Sequence, residues 1–367
     1  MSKLAPLYLK SKCDRRIKGG HLWIYSNEID THKTSLKDFQ PGEQAQLFAA
    51  DGKSLGVCVM SPSNLICARI MSRTLSSPLK ESHLRQKIER AKVLRDQVYD
   101  EPFYRVVHGD ADWFPGLVVD RYGDVLSVQL NSAFTDANRE VIIAALVKVF
   151  EPKAIALRND SIARADEGLE PEVIIAYGEL DGPVIVKENG AEFEVPVLEG
   201  QKTGWFYDHR ENRRQLNRFV NGKRVLDVFS YIGGWGVQAA VHGASEVICV
   251  DASESATEAV LDNAERNGVA DRVGSIQGNA FEVLKLLIDE GERFDVVVVD
   301  PPALIKRKKD LKAGEQAYHR LNQLAIRLLN PEGILVSASC SMHLTRDRLG
   351  EVVRVASRHV DRFTQIF

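Results

Sequence analysis

From residue 184 onward, short apolar runs alternate with segments of helical periodicity, and one of the runs, Val296-Val-Val-Val299, is apolar at every position. A strand that is hydrophobic on both faces needs cover on both, which the crossover helices of a parallel sheet provide. The second half of the chain is therefore expected to be a doubly wound, mainly parallel α/β sheet. Strands are expected at 225–229, 247–250, 273–276, 294–299 and 334–338, with helices from Trp235, over 253–267, from Ala280 and over 311–329. A hairpin (183–187 and 191–197) and a segment 201–213, running into a helix that ends near Phe219, precede them.

Ligands of such sheets bind beyond the carboxyl ends of the strands, where strand order reverses, so the residues just after each strand carry the functional information. The first core strand leads into Asp227-Val-Phe-Ser-Tyr-Ile-Gly-Gly-Trp-Gly236. Gly233, Gly234 and Gly236 permit a sharp turn and a close backbone approach. The dinucleotide fingerprint G-x-G-x-x-G is not matched, and Asp227 would repel a pyrophosphate while suiting an ammonium group. Asp251, closing the second strand, can accept hydrogen bonds from both ribose hydroxyls. After the third strand, Asn279 can pair with an adenine edge and Phe281 can pack near its ring. In order, at three strand ends, these features describe a nucleoside with a positively charged tail, which is S-adenosylmethionine.

The fourth run ends in Asp300-Pro-Pro302, a rigid shelf that lacks two N–H donors and presents carbonyls toward a bound base. Where such a shelf serves amine methylation it usually ends in an aromatic; Ala303 and Leu304 follow here. The fifth strand ends in Ser339-Cys340-Ser341. Carbon 5 of a pyrimidine is a poor nucleophile, so methylating it requires prior addition of a thiolate to carbon 6, with Asp300 holding the ring near N3 and the amino group. Methylation of an amine needs no cysteine. The competing role for Cys340 is that of a small buried hydrophobe, the expected role of Cys58, Cys67 and Cys249 within their strands.

Upstream, residues 1–75 read as short strands (43–48, 54–60, 65–70) with turn punctuation, a small β-barrel. Residues 76–182 read as a compact α+β domain, with a helix starting at Ser77-Pro78 whose Leu84, Ile88, Ala91, Leu94 and Val98 recur at helical spacing. Strands at 105–108, 116–120, 125–130, 154–157 and 173–177 and a helix over 136–150 complete it. The domains expected are thus 1–75, 76–182 and 183–367, in keeping with 367 residues. The net charge of −3 excludes a uniformly basic nucleic-acid coat, but residues 1–75 carry eleven Lys/Arg against six Asp/Glu, leaving −8 for the remainder. Five scattered cysteines without a C-x-x-C pair suggest neither a disulfide framework nor a zinc or other metal site. The N-terminus lacks an apolar signal core and no run approaches the roughly 20 residues of a membrane span, so a cytoplasmic protein without a membrane partner is expected.

Three signatures resemble a known family. They are Gly20-His-Leu-Trp-Ile-Tyr-Ser-Asn-Glu-Ile29, similar to the start of a PUA domain; Gln201-Lys-Thr-Gly-Trp-Phe-Tyr-Asp-His-Arg-Glu-Asn-Arg213, similar to the lead-in to a catalytic domain; and the pairing of Asp300-Pro-Pro302 with Ser339-Cys-Ser341. Together they resemble the RlmI-type 23S rRNA 5-methylcytosine methyltransferases, within the class I S-adenosylmethionine-dependent methyltransferases. The resemblance implies a Rossmann-like methyltransferase domain preceded by a PUA domain and a central α+β domain that helps to embrace RNA. It implies that Gln201, Lys202 and Thr203 border the cofactor, that Asp227, Ser230, Gly233, Asp251, Asn279 and Asp300 bind it, and that Cys340 is the nucleophile. Lys12, Arg15, Arg16, Lys18 and His21 would contact RNA, with 23S rRNA as substrate and a homodimer left open. The relatives usually carry Asp at position 279 and an aromatic at 304, and continue past Phe367 into a further strand that 362–367 reads as beginning, so a truncated chain is one expectation. Methylation of a base nitrogen or of uracil carbon 5, and a noncatalytic RNA-binding assembly factor, remain alternatives.

Overall fold

The computed structural model describes residues 4–366. Two units emerge, one formed by Met1–Val186 with Val195–Tyr207 and the other by Lys187–Glu194 with Asp208–Phe367.

The first unit opens with β1 (Ala5–Tyr8), α1 (Asp14–Lys18), β2 (Trp23–Tyr25), β3 (Gln44–Phe48), β4 (Ser54–Met60) and β5 (Ile66–Ser72). They form a mixed sheet ordered β1-β3-β4-β5-β2 around a core that includes Leu7, Ile24, Leu47, Met60 and Ile70. Turn punctuation between β3, β4 and β5 made those strands legible; β1 and β2 have only four and three residues. A second sheet follows, built from α2 (Glu81–Asp96), β6 (Phe103–His108), β7 (Leu117–Tyr122), β8 (Val125–Leu130), α3 (Ala133–Ala137), α4 (Arg139–Phe150), β9 (Ala154–Asn159), α5 (Ile162–Asp166) and β10 (Glu172–Gly178). Its order is β10-β9-β8-β7-β6, antiparallel except for the parallel β8–β9 pair that α4 connects.

Two expectations for α2 are corrected. The helix begins at Glu81 rather than Ser77-Pro78, and its buried stripe is Leu84, Ile88 and Ala91, while Leu94 and Val98 are 54% and 65% exposed. A stripe spaced four, three and four continues at position 95, not 94. Arg95 occupies that place, its guanidinium fixed on the Asp112 carboxylate by bonds of 2.5 and 2.8 Å. Val98 lies beyond the helix end.

The hairpin β11 (Val184–Glu188) and β12 (Ala191–Val195) leads to the second unit, which contains α6 (Arg210–Leu216), β13 (Arg224–Val228), α7 (Gly236–Val241), β14 (Glu246–Asp251), α8 (Glu254–Arg266), β15 (Val273–Gln277), α9 (Ala280–Asp289), β16 (Phe294–Val299), α10 (Leu311–Arg327), β17 (Leu329–Ser337) and α11 (Arg346–Arg358). The sheet order is β15-β14-β13-β16-β17, with every pair parallel. The apolar run 296–299 lies in β16, where Val296 to Val299 are all buried, as strands covered on both faces must be. Between β13 and β16 the order reverses, which fixes where a ligand crevice forms.

The strand expected from 362 is not present among the described residues; Phe367 lies outside them. Asp361, with φ of 54°, ends the turn after α11 in the left-handed region, and the Arg362 N–H returns to the Ser357 carbonyl. The Arg362 guanidinium then donates to the carbonyls of Leu329 and Asn330 at the start of β17, which takes the chain away from strand pairing.

Candidate active site

Each strand of the second unit delivers one functional group at its carboxyl end. Asp227, on β13, is fully buried and accepts from the Gly236 N–H at 2.8 Å, so it closes the turn that joins β13 to α7. Its other oxygen, Oδ1, is buried with no hydrogen-bond partner among the described residues. Burial, offset in part by the Gly236 N–H and reinforced by the negative charges of Asp300 and Asp251, pushes this carboxyl up to about 7. Phe229, Tyr231 and Gly233 all take positive φ (66°, 50° and 86°), and Ser230, between the first two, is buried. Gly233 is required: besides its φ, a Cβ there would meet Val237 at 2.7 Å. Gly236 serves packing instead of ligand approach, because the space of its missing Cβ is filled by Cys249 Sγ at 2.4 Å.

Asp251 closes β14 and accepts from two backbone N–H groups, Tyr231 at 2.9 Å and Ser253 at 3.0 Å. Those bonds fix the carboxylate, and each of its oxygens keeps a further lone pair for a hydroxyl. Asn279 follows β15 and caps α9, its Oδ1 accepting from the Phe281 N–H at 3.0 Å. Its oxygen is thus engaged in the helix, while Phe281 is half-buried with the Arg320 guanidinium 5.5 Å from its ring centre.

Asp300, after β16, is held from two sides that the sequence did not reveal. The Trp235 indole N–H donates to Oδ2 at 3.1 Å, and His209 Nε2 lies 3.5 Å from Oδ1. Trp235 is itself backed by the Arg213 guanidinium, 5.8 Å from its ring. That cation donates to the fully buried Glu188, which also accepts from Gln238. The lead-in signature 201–213 thus acts within this unit through His209 and Arg213, an aim that only tertiary structure discloses.

Cys340 lies three residues past β17 and is exposed, with Sγ 3.7 Å from the Pro301 carbonyl. The other four cysteines differ: Cys13 is half-buried, and burial pushes Cys67 up to about 12 and also raises the thiols of Cys58 and Cys249. Leu304, where an aromatic was expected, packs beside the buried cluster of Ile305, Tyr318, Leu344 and Val352.

The remaining expected residues lie in the first unit. Thr203 is buried, its hydroxyl donating to Asp120 at 2.6 Å and its carbonyl accepting from Tyr122. Lys202 takes a φ of 51° and sets its ammonium 4.7 Å from the Phe206 ring centre, and Gln201 is exposed. Lys12 and Arg15 are exposed. Arg16 is occupied internally, bonded to both Glu28 oxygens, to the Trp23 carbonyl and to His21 Nδ1. His21 Nδ1 also accepts from the Trp23 N–H, and Lys18 pairs with Asp14. Arg16 and His21 therefore brace the fold locally through these bonds.

The carboxylates of Asp227, Asp251 and Asp300 at neighbouring strand ends, one with an orphaned buried oxygen, suit a ligand that brings a cation and ribose hydroxyls, so these residues fit S-adenosylmethionine.

Residues 172–363 match the model of the S-adenosylmethionine-dependent methyltransferases, and residues 7–73 match that of a PUA-like domain. The chain is 36% identical over 362 residues to Ribosomal RNA large subunit methyltransferase I of Shewanella frigidimarina, covering 97% of this chain and 91% of the relative. The protein of the same description from Vibrio cholerae is 32% identical, with 98% and 93% covered. Among solved structures, a SAM-dependent methyltransferase from Streptococcus mutans superposes with a TM-score of 0.81 at 21% identity, over 96% of this chain and 90% of that one. A methyltransferase complexed with SAH gives 0.82 at the same identity and coverage. These two share the fold.

Proposed function

The chain belongs to the S-adenosylmethionine-dependent methyltransferases, in the family of ribosomal RNA large subunit methyltransferase I, and on that premise we propose that it methylates carbon 5 of a cytosine in 23S rRNA. One observation carries the choice of carbon 5: the single exposed cysteine among the described residues, Cys340, stands at the end of β17, beside the Pro301 carbonyl of the shelf that follows Asp300. A methyltransferase acting on an amine has no use for a thiol there.

Asp251 would hold the ribose of the cofactor, with Ser230 and Gly233 shaping the turn beside it, Asp227 acting through that turn, and Asn279 presenting its amide at the adenine end. Bound S-adenosylmethionine supplies an electrophilic methyl group. Cys340 adds as thiolate to carbon 6, so that electron density shifts to carbon 5. Asp300, fixed by Trp235 and His209, holds the base at N3 and the amino group while the adduct exists. Removal of the carbon-5 proton then restores the double bond and expels the thiolate. The target base must leave its stack to reach these groups, as base-modifying enzymes require. The first 75 residues, with exposed Lys12 and Arg15, supply phosphate contacts ahead of the central domain (76–182) and the catalytic domain (183–367), and the reaction is assigned to the cytoplasm.

RNA carrying 5-fluorocytosine tests the mechanism, because fluorine cannot leave as a proton and the adduct persists. The wild-type protein should form a covalent complex that survives denaturation, and Cys340→Ala should form none and lose methyl transfer. Full methylation by Cys340→Ala would overturn carbon-5 chemistry.

A further inference from the structure

We propose that Tyr318 is a positioning residue that sets the height and direction of Cys340 above the Asp300-Pro-Pro shelf without touching the substrate. The inference rests on the assignment of Cys340 as nucleophile. The Tyr318 ring is fully buried among Ile305, Leu344 and Val352, and a phenylalanine would fill that space equally well. The hydroxyl is what a filler does not need. It receives a hydrogen bond from Ser339 Oγ at 2.8 Å and lies 3.0 Å from Ser341 Oγ. Ser339 and Ser341 are the two neighbours of Cys340.

The protons can be placed around this group. The Ser341 N–H donates to Ser339 Oγ at 3.1 Å, and Ser339 donates to the phenol. The one phenolic proton is then directed to Ser341 Oγ, which also accepts from the Ile305 N–H at 3.1 Å. A closed cycle therefore runs through both flanks of the cysteine and is anchored to the segment that follows Asp300. Such a cycle fixes the loop backbone on either side of Cys340, so rotation of the thiol is left to its own χ1.

Helix α10 adds a second attachment on the same face. Gly314 lies one turn before Tyr318, and a Cβ there would stand 2.2 Å from Ile305 Cγ1 and 2.8 Å from the Leu304 carbonyl. Close contact at Gly314 sets Leu304-Ile305, the segment that continues the shelf, against the helix, and the phenol at Tyr318 sets the loop against the same helix. The distance between shelf and thiol is thus determined by α10, an element that contributes no atom to the reaction.

Tyr318→Phe removes the hydroxyl and keeps the ring. The expected result is a protein that melts close to wild type, keeps its KM for S-adenosylmethionine, and loses about ten- to a hundredfold in kcat, in the range misplacement of a reacting group produces. Covalent trapping on 5-fluorocytosine RNA should slow by the same factor. The pH profile of iodoacetamide alkylation at Cys340, followed by peptide mass, should shift, which loss of packing elsewhere would not cause. Ser339→Ala, a smaller change at the loop, should reproduce the kcat loss at constant KM, and it decides the matter should Tyr318→Phe fail to fold. Unchanged kcat and an unchanged alkylation profile would overturn the positioning role. Full activity of Cys340→Ala would instead overturn the nucleophile assignment, a separate failure read in a separate variant.

Discussion

Asp227 shows how much of a residue's behaviour depends on partners distant in sequence. Its place at the end of β13 was readable from the apolar run before it, but its enclosure and its proximity to Asp251 and Asp300 were not. With its carboxyl raised from the usual 3.8 to about 7, the folded state holds a proton that the unfolded chain has released. The resulting contribution to stability is fully present below about pH 3.8 and is lost as pH rises through about 7. Unfolding midpoints of the cofactor-free protein measured from pH 5 to 8 should therefore fall, and Asp227→Asn should flatten that fall by a few kcal/mol while weakening S-adenosylmethionine binding. Parallel profiles for the two proteins would count against this account. The positions of Asp300, directly after β16, and Cys340, three residues past β17, could be read from the apolar runs before them. The contacts of Trp235 and Tyr318 could not, since their partners stand 65 and 21 residues away and periodicity carries no information about where a polar tip is aimed.

Among elements, β16 appears at its expected limits, 294–299, because its run Val296–Val299 is apolar at every position, as the part of a strand covered on both faces must be. Helix ends and short strands were harder: α2 starts three residues beyond Pro78, and segment 362–366 carries strand-like residues but follows a left-handed turn at Asp361. Asn279 illustrates a choice between cap and ligand contact that sequence leaves open, and its oxygen serves the cap. For α10, two opposing effects of Gly314→Ala can be weighed. Alanine gains about 1 kcal/mol of helix propensity, but forcing a methyl against backbone costs about 1–3 kcal/mol. The Leu304 carbonyl cannot rotate away as a side-chain tip would, so net destabilisation is expected in urea titration, with kcat reduced. A more stable, fully active variant would show that the shelf can move.

Across the whole molecule, charge is distributed so that the N-terminal segment is positive and the remainder negative. This asymmetry predicts an RNA affinity that falls with salt, and it is the exposed Lys12 and Arg15, not Arg16, that should set the slope. Replacing both with alanine should reduce the slope of log K against log salt by about 1.5–2, as expected when two phosphates are no longer neutralised by the protein. Arg16→Ala should lower the unfolding midpoint instead, because it strips Glu28 of its ion-pair partner and leaves the carboxylate only the Tyr25 N–H. An unchanged salt slope in the double variant would move the phosphate contacts elsewhere. The path of the chain has a consequence for biogenesis. It passes between the two units at 186–187, 194–195 and 207–208. Arg158, buried in the first unit, finds its carbonyl partners at Val197 and Gly200. On the ribosome those partners emerge only after residues 187–194 of the second unit have been made, and N-terminal regions generally begin to fold first. Until then the Arg158 guanidinium has the Asp160 carboxylate at 2.8 Å but lacks its two carbonyl partners, so synthesis itself delays completion of the first unit until the catalytic unit has begun to emerge.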